Sequence, residues 1–137
     1  MSSKIDEQLW WASLDGWYDV VVDLIRNGAD VDGKNGKDLN AVPLIYAALG
    51  GHNKVTRHLL NKGATIDKTN DYGETALYVA AREGKSDEMV RLLIERGASL
   101  TIQDSYGATP LDKAKEYNNP FIASMLENVM KAAIQKS

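Results

Sequence analysis

Few residues in this chain are of a type and spacing that could carry chemistry. His52 and His58 are its two histidines, and they lie six positions apart. A zinc-binding helix needs two imidazoles four positions apart, on one face. With no cysteine in the sequence, a metal would have to draw carboxylates from elsewhere, and no metal site or cofactor is expected. Gly50-Gly51-His52 is glycine-rich but lacks the Gly-Lys-Ser/Thr ending of a phosphate loop. No G-x-S-x-G elbow for an activated serine is present. Carboxylates are plentiful, yet an acid–base pair needs two of them in differently buried places, and Asp30, Asp32 and Asp67 instead recur with a regular period. These residues therefore call for a structural account, and no catalytic residue and no enzymatic activity are expected.

Composition excludes further classes. The 137 residues are one domain's worth of chain, 44% hydrophobic and 26% charged, with a formal net charge of -3. Residues 1–69 carry 8 basic and 9 acidic side chains and residues 70–137 carry 8 and 10. Nucleic acid or an anionic membrane would demand a basic patch, so neither is an expected partner. The start of the sequence does not read as a secretory signal. No run approaches the roughly 18–20 apolar residues that span a bilayer. The expected location is cytoplasmic, with the nucleus as a further possibility.

The elements that position these residues come from an internal repeat, the first feature to seek in a chain of this size. LIRNGADVD from Leu24 returns as LLNKGATID from Leu59 and as LLIERGASL from Leu92. Upstream, LWWASLDG from Leu9 returns as LIYAALGG from Leu44, LYVAAREG from Leu77 and a degenerate LDKAKEYN from Leu111. These leucines are separated by 35, 33 and 34 residues. Each unit reads as two short helices and a loop. Gly16, Gly51 and Gly84 separate the paired helices, and Gly28, Gly63 and Gly97 end the second ones. Thr75 and Thr109 stand where a hydroxyl can cap a helix start, whereas Val42 occupies that slot in the second unit. Asn119-Pro120 reads as the start of a final helix whose polar side, Ser124, Glu127, Asn128 and Lys131, closes the stack. Helices this short cannot stand alone in water, so the units must bury their apolar faces against one another. The expected domain is single, residues 1–137, with units at about 5–36, 37–69, 70–103 and 104–134.

Thr109-Pro110-Leu111-Asp112-Lys113-Ala114, Thr75-Ala76-Leu77-Tyr78-Val79-Ala80-Ala81, Pro43-Leu44-Ile45-Tyr46-Ala47-Ala48 and Gly51-His52 resemble the start and inter-helix turn of the ankyrin repeat. Gly28-Ala29-Asp30-Val31-Asp32, Gly63-Ala64-Thr65-Ile66-Asp67 and Gly97-Ala98-Ser99-Leu100 match its ending. The resemblance spans roughly residues 5–130. It implies an all-α solenoid of about four stacked helix-turn-helix units with short hairpin-like loops. Trp10, Ile45, Tyr78 and Asp112 stand where the family has histidine. One extra residue lies near Lys85-Ser86. The first junction is two residues longer than the others, within Gly33-Lys34-Asn35-Gly36-Lys37, which is expected to be a mobile loop with Lys37 and Asp38 as solvated charges.

By the same resemblance, first helices and hairpin tips line a concave face that binds another protein. Carried over residue by residue, that face comprises Trp11, Leu14, Tyr46, Leu49, Val79 and Arg82, with Leu39, Tyr72 and Tyr106 at the tips. Trp10 and Tyr78 fall in inward slots, and the alternative for Trp10, Trp11 and Trp17 is that they close the N-terminal end of the stack. His52 is expected to bond neighbouring backbone. The implied function is a non-enzymatic interaction module or small adaptor, monomeric when free. The alternative is a structural subunit of a stable complex, held through the convex side or the helix at 121–134.

Overall fold

The computed structural model describes residues 3–136. Among them the helices run α1 Lys4–Asp15, α2 Tyr18–Arg26, α3 Pro43–Gly50, α4 Asn53–Asn61, α5 Ala76–Glu83, α6 Asp87–Glu95, α7 Pro110–Glu116 and α8 Pro120–Lys136. They form four antiparallel pairs stacked in chain order. The first helices α1, α3, α5 and α7 make one layer, and the second helices α2, α4, α6 and α8 make the other. Among the described residues no helix is long and apolar enough to cross a membrane. The fold is all-α, a repeat solenoid of the kind its periodicity implies.

Burial follows the period. Leu9, Leu44 and Leu77 in the first helices, with Leu59 and Leu93 in the second, belong to one continuous core. Ala47, Ala48, Ala80 and Ala81 are buried between neighbouring first helices, where small side chains let backbones approach. Gly16, Gly51 and Gly84 cap the first helices in the left-handed region. A side chain at Gly16 would also collide with the His52 ring, at 2.4 Å from its Cβ position.

Polar ties cross each junction at recurring places. The last carbonyls of a first helix are orphans, and the next unit supplies a donor. His52 Nε2 lies 2.8 Å from the Leu14 carbonyl, Lys85 donates to Leu49 at 2.9 Å, and Asn119 donates to Ala81 and Arg82 at 2.8 and 3.2 Å. At the unit ends the periodic carboxylates do parallel work. Asp32 accepts from the Thr65 N–H and hydroxyl, and Asp67 accepts from the Ser99 N–H. Hairpin tips join through backbone bonds, from Asp71 N–H to Leu39 and from Ser105 N–H to Tyr72, each 2.8 Å.

Helix starts separate the units. Thr75 accepts from the Tyr78 N–H. Thr109 and Asp112 form a reciprocal capping box. Val42 has the same extended backbone, φ -112 and ψ 163, but gives no side-chain bond. The loop expected to be mobile is instead tied down. Gly33 and Asn35 are buried, the Gly33 carbonyl accepts from Trp10 Nε1 at 2.8 Å, and Asn35 pairs with Ala41 across an isolated bridge.

Two stability predictions follow from these elements. Val42→Thr restores the missing cap and should raise stability by about 0.5–1 kcal/mol, visible as a higher melting temperature; an unchanged or lower value would deny the cap its role. His58 lies edge-on to Tyr18, ring centroids 5.7 Å apart, with Nε2 enclosed and unpartnered. Burial, then the Lys62 charge, hold its pKa below the ordinary 6.5. The folded ring stays neutral where the unfolded one takes a proton, so stability is full above about 6.5 and declines as pH falls toward the folded value. The urea midpoint should therefore drop between pH 7.5 and 5.5, and drop less in His58→Leu, since Leu92 already fills the matching slot of α6.

Candidate functional site

The first helices and hairpin tips together form one face of the stack. Trp11 lies on it with 45% of its surface exposed, its ring edge-on to Tyr46 at a centroid distance of 5.4 Å. Leu14 and Leu49 are half-buried at the ends of α1 and α3. The tips carry Leu39, Tyr72 and Tyr106, all exposed, Tyr106 at 92%. Leu39 and Asn40 both adopt left-handed backbone, φ 58 and 56, which turns the first tip. The corresponding turns at Gly73 and Gly107 use glycine in its favoured region. A hollow of about 140 Å³ lies between tips and helices, lined by Leu39, Tyr46, Leu49, Val79 and Arg82 among others. Five of the nine residues assigned to the face from sequence thus converge on one depression.

Two of those five are buried, and here the structure corrects the sequence reading. Tyr46 is 2% exposed and Val79 1%. The lengthened loop folds against Tyr46, whose hydroxyl donates to Asp38 and accepts from Asn35 Nδ2 at 3.1 Å. Burial, then the bond to Asp38, push the phenol pKa well up, so it stays protonated and remains a donor. Asp38 is accordingly an acceptor for Tyr46 rather than a merely solvated charge. Val79, a short side chain, lies deep in the hollow beside Glu74 and Arg82.

Arg82 is bound within the molecule as well. It reaches Glu74 and Glu83 at 3.0 Å each, and its side chain is mostly covered. Burial works against its charge, but the bond to Glu83 and the Glu74 carboxylate outweigh that and raise its pKa. Next along the face, Tyr78 is buried as expected and donates to Asp104 at 2.6 Å. Burial and that bond push it up to about 12. The same bond, with the Ala108 and Tyr106 N–H groups, holds Asp104 below the usual carboxylate range. Lys113 pairs with Glu116 at 2.8 Å, which raises its pKa. The face therefore combines exposed aromatic and aliphatic groups with charges already neutralised by internal partners.

No group of three or more histidine, aspartate or glutamate side chains among the described residues is arranged to hold a metal. His52 is committed to the Leu14 carbonyl. His58 lies on the opposite layer.

A family model described as ankyrin repeats (3 copies) matches residues 9–104, most of the chain. The chain is an ankyrin-repeat protein. A search of curated proteins found no match. The match covers α1 to α6, and α7 and α8 continue the same pairing beyond it. Ankyrin repeats serve in general as non-enzymatic protein-binding scaffolds.

Exposure decides which of the face residues can be read by mutation. Tyr46 is unsuited to a binding test, because removing its hydroxyl leaves Asn35 and Asp38 with lost bonds near a closed core. Tyr46→Phe is expected to destabilise the ankyrin stack by about 1–2 kcal/mol, measured as a lower urea midpoint. An unchanged midpoint would show that the loop does not depend on the phenol.

Proposed function

We propose that this ankyrin-repeat protein is a small adaptor that holds a protein partner on the face formed by its first helices and hairpin tips. The observation that carries the reading is the run of exposed Trp11, Leu39, Tyr72 and Tyr106 along that face, beside a depression lined in part by half-buried Leu49. Tryptophan and tyrosine are rigid, large and amphipathic, and they dominate binding energy when a partner encloses them. The backbone bonds between successive tips hold Leu39, Tyr72 and their neighbours in fixed register. A pre-ordered row of contacts loses little entropy on association.

Internal charge pairing supports the same reading. Arg82, Lys113 and their glutamates meet a partner as neutralised pairs. Specificity on this face then rests on shape and on apolar contact, with the exposed rim of α7 supplying polar contacts. A location in the cytoplasm or nucleus belongs to the same proposal.

The test is affinity capture from native lysate with the wild-type chain and with a Trp11→Ala/Tyr72→Ala variant. Both side chains are substantially exposed, so the melting temperature should stay close to wild type. Capture should weaken at least about tenfold, the loss of one modest hot spot. A partner retained at wild-type strength would place binding on another surface.

A further inference from the structure

The two ends of the stack are built differently. In every later unit, two positions of the second helix are buried, and the turn before that helix bonds back to the preceding unit. Val55, Met89 and Ile122 fill one of these positions, and Leu59, Leu93 and Leu126 another; all six are buried. The turn position holds His52, Lys85 or Asn119, each bonded back to a helix-end carbonyl of the preceding unit. In the first unit the same positions are Trp17, Val20 and Leu24. Trp17 is 58% exposed and Val20 43%, and Leu24 is only partly covered. They lie three and four residues apart, as one stripe of a helix face.

The C-terminal end shows the opposite treatment. The position of Ser13, Ala48 and Ala81, buried each time against the next unit, is exposed Lys115 in the last unit. That of Trp10, Ile45 and Tyr78 is Asp112, and that of Ile25, Leu60 and Ile94 is Glu127, which pairs with Lys115 at 3.7 Å. Charged groups close this end, as solenoid caps do. They would be stranded against Trp17 and Val20 in a head-to-tail array of copies.

The usual tie to a preceding unit is already taken within the first unit. The N–H of Asp30 corresponds to those of Thr65 and Ser99, which the preceding unit's Asp32 and Asp67 receive. In the first unit Asp6 of α1 already accepts it, at 2.8 Å. The loop side of this end is thus closed, and the α2 side is apolar and open.

Charge decides what fits there. Residues 1–26 contain 5 acidic and 2 basic side chains, while residues 27–137 contain 14 of each. The whole net charge of -3 therefore lies in the first helix pair. Asp15, Asp19 and Asp23 are exposed around the stripe, Asp23 being paired with Arg26 at 3.1 Å. Asp15 also sits at the C-terminal end of α1, whose last turn has no basic residue, so the helix dipole adds to the negative field. A second copy docked end to end would set these carboxylates against their own kind.

We propose that the uncovered α2 stripe, Trp17, Val20 and Leu24 rimmed by Asp15, Asp19 and Asp23, is a second binding surface for an amphipathic helix with an apolar stripe and basic flanks. Its apolar side chains would cover Trp17 and Val20 as the preceding units cover Met89 and Ile122. Its cations would meet Asp15 and Asp19. The surface is distinct from the first-helix and tip face, and its variants leave Trp11 and Tyr72 untouched.

The experiment titrates the full chain with two synthetic helical peptides of one leucine stripe, one flanked by lysine and one by glutamate, and reads fluorescence anisotropy. The lysine peptide should bind, with affinity falling as salt rises, and the glutamate peptide should bind at least tenfold more weakly. Trp17→Ser/Val20→Ser should weaken the lysine peptide at least tenfold, and Asp15→Asn/Asp19→Asn should do so severalfold. Trp11→Ala/Tyr72→Ala should leave it unchanged. Equal binding of both peptides, or wild-type binding by the Trp17/Val20 variant, would overturn the proposal. So would a dimer in analytical ultracentrifugation that the same variant abolishes, since that result gives the surface to a second copy.

Discussion

A helix of eight or nine residues in water gains too few hydrogen bonds to offset the cost of starting it. Helices α2 to α6 are all of that length. Their persistence depends on lateral contact, and that dependence explains why the core is continuous rather than divided into four small ones. It also explains where the polar ties lie. A short helix has a large share of its amides and carbonyls at its ends, and a neighbouring unit is the nearest source of partners. His52, Lys85 and Asn119 are chemically unlike one another, yet each places a donor on the same carbonyl end. The requirement is for a donor at that spot, and several side chains can satisfy it.

The same economy shapes the face that carries the exposed aromatics. Trp10, Tyr46 and Tyr78 are large side chains with one polar atom each, and each passes its apolar body into the core while its donor reaches loop groups. Trp10 bonds the Gly33 carbonyl, Tyr46 bonds Asp38, and Tyr78 bonds Asp104. The first helices and the hairpins are thereby locked together, and the tips that bear Leu39, Tyr72 and Tyr106 become parts of a rigid surface. The fixed placement of the exposed tip residues depends on buried aromatics one layer below.

Much of this was legible in the sequence, because burial against a neighbour imposes a repeated pattern on the residues that are buried. The leucines at intervals of 33 to 35, the glycines between paired helices and the threonine caps all follow from local rules. Tyr46 and Val79 did not follow. Their positions in the repeat belong to an exposed row, but covering depends on what the adjoining loop and side chains do. Two extra residues near Asn35 brought partners to the Tyr46 hydroxyl, and the Glu74–Arg82 pair beside Val79 is a contact across eight positions. The charge of the first helix pair was hidden differently. Counting by halves mixed it with a nearly balanced segment, and only the boundary between α2 and the next unit isolates it.

The contrast between the two ends bears on how such a stack is selected. An exposed end of a solenoid repeats the apolar pattern of its interior unless the pattern is changed. At the C-terminal end it is changed at three separate positions, by Asp112, Lys115 and Glu127, and two of these interact with each other. At the N-terminal end Asp6 closes the loop side, so capping has operated there too. Trp17 and Val20 stand a few residues from that closure, and at the Trp17 place the later units use polar side chains, His52, Lys85 and Asn119, that bond back to the preceding unit. An exposed tryptophan retained beside an effective cap is unaccounted for by the stability of the stack, and a contact outside it supplies the missing reason.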